Sequence, residues 1–126
     1  MNVNYDRLDG TWLHVARLPI PPGWNRPTAD ILIDIPHGSP GYPNIAPMWF
    51  WTNCDLATSD GRAINHFFKI GQQGVDQEHW SQGYGHFCIH LNSWQPFNGP
   101  SIELGDNLLK YLQIILQVFY DRKRLV

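Results

Sequence analysis

The spacing of hydrophobic positions along the chain changes from period two to a helical repeat, and each spacing predicts a different element. Trp12, Leu13, Val15 and Leu18 fall in a loosely alternating stretch from Thr11 to Ile20 that runs into Pro19-Ile20-Pro21-Pro22-Gly23. This predicts a strand closed by a firm turn. From Ala29 to Ile35 the alternation is stricter, with Ile31, Ile33 and Ile35 on one side, Leu32 and Asp34 on the other, and Pro36 at the end. Side chains two apart share a face of an extended chain, so a second strand is predicted. After the loop His37 to Ala46, the aromatic run Met48-Trp49-Phe50-Trp51-Thr52 sits between Pro47 and Asn53. It predicts a third strand, antiparallel to the second.

From Asn53 to Phe87 periodicity stops informing. Asp60-Gly61 reads as a turn, Ala63 to Ile70 as an extended piece, and Gly71 to Gly85 as a polar, glycine-rich stretch. A loop of that size is uncommon in a compact domain unless it shapes a site. Helical spacing is clearest from Ser101 to Arg122, where Leu108, Leu112, Ile115 and Phe119 recur with Leu109 and Leu116 beside them. Glu103 and Asp106 come early and Arg122, Lys123 and Arg124 late, as the helix dipole favours; the basic end reads as a solvated terminus. Strands, an irregular segment and then a helix predict an α+β domain, a helix over an antiparallel sheet. With 126 residues, one domain spanning 1–126 is expected.

Composition narrows the function classes. Only 16% of residues are charged against 43% hydrophobic, which excludes disorder as the main state. The formal net charge of -2 provides no basic field for nucleic acid or an anionic membrane surface. No apolar run approaches the roughly 20 residues that span a bilayer, and the start Met1-Asn2-Val3-Asn4-Tyr5-Asp6 lacks signal-peptide character, so a cytoplasmic protein is expected. Two cysteines are too few for a disulfide scaffold.

Cys54 follows the third strand beside Asp55, a carboxylate that discourages the thiolate, so it reads as structural. Cys88 lies in Gly85-His86-Phe87-Cys88-Ile89-His90-Leu91-Asn92, with an imidazole two residues away on each side. On an extended backbone His86, Cys88 and His90 would share one chemical face, and Phe87, Ile89 and Leu91 one packing face. The plainer reading makes Cys88 a small buried hydrophobe. A metal site built from His79, His86, Cys88 and His90 matches no known finger or catalytic zinc spacing, and no metal is expected. A papain-like pair fails on geometry, because a histidine two positions away on the same strand does not reach general-base position.

In order along the chain, these features resemble the ubiquitin-conjugating enzyme (UBC) superfamily, over about two thirds of the sequence. The strand Ile31 to Pro36 is followed by Tyr42-Pro43, then Pro47, then Trp51-Thr52. Later come Gly85-x-x-Cys88-x-x-Leu91, Trp94-x-Pro96 and the helix opening near Ile102. The resemblance implies a UBC-like fold: an antiparallel four-stranded meander packed against a C-terminal helix, with the family's N-terminal helix reduced or absent. It implies that Cys88 carries a ubiquitin-like protein as a thioester from an activating enzyme to an acceptor amine, without a cofactor. His90 and His86 would tune the thiol or the amine, and Asn92 would support the oxyanion. The family's His-Pro-Asn tripeptide is missing, with His79-Trp80-Ser81 in its neighbourhood, and His90 stands where an acidic residue is common. These departures are more similar to divergent bacterial members found with a ubiquitin-like protein, an activating enzyme and a JAB-type peptidase in antiphage conjugation systems. Both Cys88 and His90 remain open as the residue at the active position. The alternative is a non-catalytic UBC-like module that binds a ubiquitin-like protein or another partner through its sheet or the Gly71 to Gly85 stretch.

Overall fold

Alternating apolar residues pair into a sheet with two unlike faces. The structure is a computed structural model that describes residues 1–47, 49–68, 79, 81–88, 94–96 and 105–121. Its strands are β1 (Asn2–Tyr5), β2 (Trp12–Pro19), β3 (Thr28–Asp34), β4 (Trp49–Asn53), β5 (Phe67–Phe68) and β6 (Tyr84–Cys88), and its helix is α1 (Leu108–Tyr120). The sheet order is β1-β2-β3-β4-β6-β5, and every neighbouring pair is antiparallel. The α+β class and the C-terminal helix over an antiparallel sheet are as expected.

The three strands read from alternation are β2, β3 and β4, and β3 pairs antiparallel with β4 as expected. The described sheet has six strands where four were expected. β1 and β5 are its outer strands, and neither carries a burial rhythm: all four residues of β1 are exposed, and β5 is only two residues long. β2 contains a register shift between Val15 and Leu18, where Arg17 takes φ 57° and its N–H turns to the Asp30 carboxylate at 2.9 Å. The bulge thus re-satisfies a donor it takes out of the ladder.

The helix begins later than its expected start at Ser101. Asn107 caps it, with the side-chain oxygen accepting from the Lys110 N–H at 3.1 Å, while residues 101–104 lie outside the described set. The buried stripe is Tyr111, Ile115 and Phe119, with Leu108, Leu112 and Leu116 flanking it half-buried and Leu109 exposed. Periodicity gave Ile115 and Phe119 their place but missed Tyr111, the aromatic one turn earlier.

On the helix-facing side of the sheet, Val15, Ile31, Ile33, Phe50 and Phe87 form the core with that stripe. Phe50 stacks on Phe87 at 5.1 Å, and Phe67 on Phe87 at 4.5 Å. Gly85 makes room for this: a Cβ there would lie 2.8 Å from the Phe67 ring. Trp24 closes the far end, its indole N–H donating to the Phe119 carbonyl at 2.9 Å. The opposite face carries a second cluster of Leu32 and Trp51, with Trp49 and Tyr84 against it.

Hydrogen bonds join the loop after β3 to the start of the helix. The Trp94 indole N–H donates to the Pro43 carbonyl at 2.7 Å, and the Leu108 N–H, an otherwise orphaned first-turn donor, donates to the Tyr42 hydroxyl at 3.0 Å. Asp106 and Gln95 exchange backbone N–H donors: Asp106 N–H to the Gln95 carbonyl, Gln95 N–H to the Asp106 carboxylate. Among the described residues, no helix is long and apolar enough to cross a membrane.

Candidate functional site

Cys88 is the last residue of β6, paired across the ladder with Trp49, and its N–H donates to the His66 carbonyl at 3.0 Å. The side chain is half-buried, and burial pushes the thiol up from its ordinary range. That is the opposite of the electropositive setting that activates a cysteine. Extended backbone does put His86 and Cys88 two apart on β6, with Phe87 in the helix-side core, as the alternation predicts.

His86, however, is not on an open face. It is only 1% exposed, stacked on Phe68 at 5.0 Å and tilted against Trp51 at 5.2 Å and Trp49 at 5.6 Å. Burial lowers its imidazole below the usual histidine range, so it stays neutral at physiological pH. His90 and Asn92 lie outside the described residues. Cys54 is half-buried, its N–H donating to the Gly83 carbonyl at 3.0 Å. No cluster of three His, Cys, Asp or Glu side chains placed to hold a metal ion occurs among the described residues.

Tyr111 belongs beside Cys88 although sequence reading passed over it. It is fully buried, its hydroxyl has no hydrogen-bond partner among the described residues, and its ionisation is pushed far up by burial and then by the charge of Cys88. The aromatic spacing Tyr111-Ile115-Phe119 was the available signal. The first turn of α1 is tied to the loop after β3 by the Leu108–Tyr42 bond, and Tyr111 shares the helix-side core with Phe87, the residue before Cys88.

A different set of polar side chains gathers on the sheet face away from the helix. His79 Nε2 lies 3.1 and 3.2 Å from the two Asp34 carboxylate oxygens, and the Trp51 indole N–H donates to Asp34 Oδ2 at 3.0 Å. Tyr84 Oη sits 3.3 Å from His14 Nε2. His14, Asp34, His79 and Tyr84 border an open cleft of about 1060 Å³. His79, weighed in the sequence as a metal ligand, is instead the partner of Asp34. The sequence signal for the cleft was Asp34 itself, an acid on the second apolar side of β3.

Comparison with family models, curated proteins and solved structures returns no match, so the site stands on its own geometry.

Proposed function

We propose that this chain is a UBC-like carrier of a ubiquitin-like protein, with Cys88 as its acyl acceptor. The single observation that supports this reading most is the junction that ties the two motif segments to the start of α1. Tyr42-Pro43 and Trp94-x-Pro96, distant in sequence and both part of the resemblance, are hydrogen-bonded together and to the start of α1, whose Tyr111 packs in the core with Phe87, the residue before Cys88. In the step itself, the Cys88 sulfur attacks the thioester carbonyl of a charged activating enzyme. A new thioester forms, the activating enzyme's thiol leaves, and the proton from Cys88 passes to solvent. An acceptor amine then attacks that carbonyl, an amide forms and the Cys88 thiol is restored. No cofactor takes part at either stage.

The raised thiol suits storage more than attack. A more basic sulfur leaves more slowly, so a thioester on Cys88 is less readily lost before its acceptor arrives. His86 contributes by packing beneath the strand; proton transfer falls to His90 and oxyanion support to Asn92. A JAB-type peptidase acting on the same ubiquitin-like protein belongs to the proposed system, in the cytoplasm of a bacterium. The test is replacement of Cys88 by Ser: loading should stop or give a reductant-resistant oxyester. Undiminished reductant-sensitive loading of that variant sinks the assignment to Cys88.

One observation favours the non-catalytic module as a second reading. Among the described residues, burial is what acts on the Cys88 thiol, and it raises it. On that reading the protein binds a ubiquitin-like protein without being acylated.

A further inference from the structure

The sheet face opposite α1 holds a row of side chains that the carrier reading does not use. Trp12 is the cross-strand partner of Asp34. Trp49, two residues from Trp51 on β4, packs against the Leu32–Trp51 cluster and lines the same cleft as Asp34 on the β4 side. Asp34 lies on the strand between those that carry Trp12 and Trp49, and all three residues line the cleft. Such cross-strand neighbours are about 5 Å apart, so one planar group can meet the acid and both rings together.

Asp34 is oriented but not used up. Trp51 and His79 hold it from one side, yet its side chain remains 45% exposed. A carboxylate offers about four acceptor positions, so sites remain toward the cleft. Among the described residues lining the cleft, Asp34 is the only one that is Asp, Glu, Lys or Arg. The floor thus carries one carboxylate, held by His79, its flanks are aromatic, and among the described lining residues there is no lysine or arginine.

That combination selects a cation able to lie flat. A guanidinium presents a planar fork of N–H donors to a carboxylate and stacks on indole, whereas an ammonium is a strongly hydrated point charge that does neither as well. We propose that the cleft takes an arginine side chain of a partner polypeptide, with its guanidinium on Asp34 and its plane against Trp12 and Trp49. Cys88 pairs across the ladder with Trp49 but does not itself line the cleft, so the site holds on either reading of the function.

The intrinsic tryptophan fluorescence of the full chain reports on this, since Trp12 and Trp49 are the flanks. The probe is the blocked peptide Gly-Gly-Arg-Gly-Gly, compared with its citrulline counterpart, which keeps the shape and loses the charge. The arginine peptide should give a saturable change, with the citrulline peptide roughly tenfold or more weaker. Asp34→Asn should weaken binding by roughly tenfold, and Trp12→Ala, at a partly exposed position and so safe for folding, by roughly fivefold. Cys88→Ser should bind as the parent does, which separates this result from the fate of the carrier reading. Absence of saturation at millimolar peptide, equal binding of citrulline, or unchanged binding in both cleft variants overturns the proposal.

Discussion

At Cys88 the cost of burying a charge falls on the thiolate, and the consequence is a reactivity that rises late with pH. In a Cys54→Ala background, the rate of iodoacetamide alkylation should reach half its plateau at a pH above that of a free cysteine, about 8.5. A midpoint below about 7.5 would mean that an activating cation or base reaches the sulfur, contrary to the burial described. His86 titrates the other way. Its folded imidazole is held below the unfolded value, so its contribution to stability is present above the unfolded value near 6.5 and is lost as pH falls through the folded one. Urea midpoints at pH 7.5 and pH 5 should therefore differ more in the parent than in His86→Phe, which keeps a ring among Trp49, Trp51 and Phe68; equal differences would place His86 in water. Tyr111 carries a buried hydroxyl without a partner among the described residues, a group that costs desolvation and returns no bond. Tyr111→Phe should leave stability unchanged or raise it by up to about 1 kcal/mol, and a loss above about 1 kcal/mol would show that the hydroxyl has a partner. The Cys88–Phe87 alternation was legible in the sequence, because it depends only on the two-residue period of one strand. The covering of His86 was not: it depends on how β4 and β5, far away along the chain, register against β6.

Elements with a strong burial rhythm were the legible ones. β3, with isoleucines on one face, and α1, with a four-residue aromatic and aliphatic repeat, follow their patterns to within a few residues, apart from the helix start. There Asn107 decides, because its side chain satisfies the Lys110 N–H and its own backbone is extended. β1 was invisible because an exposed strand needs no apolar alternation; ladder bonds to β2 and the turn around Asp6 hold it. In that turn the Asp6 carboxylate accepts from the N–H groups of Leu8, Asp9 and Thr11 and from the Thr11 hydroxyl. The Tyr42–Trp94–helix junction is another case. Its residues stand out as a set in the sequence, but their bonding is a tertiary fact. Trp94→Phe keeps the apolar plate and removes the N–H that reaches Pro43, so it should cost about 1 to 2 kcal/mol in denaturant unfolding. An unchanged midpoint would mean the junction does not hold the loop.

For the whole molecule, the two faces of the sheet divide the work. One face is filled by α1 and fixes β6 through Phe87; the other carries the Asp34 cleft, where partner contacts are expected, with Cys88 beside its Trp49. The acid in the cleft was visible on β3, but its indole flanks emerge only when β2, β3 and β4 are placed side by side. The central claim concerns Cys88, and it is tested most directly by mixing the purified chain with an activating enzyme, its ubiquitin-like protein and ATP, then measuring intact mass with and without a thiol reductant. One adduct of the ubiquitin-like protein's mass less one water, mapped to Cys88 and removed by the reductant, is expected. A demonstrably charged activating enzyme that leaves this chain unmodified would contradict the carrier function and leave a binding module in its place.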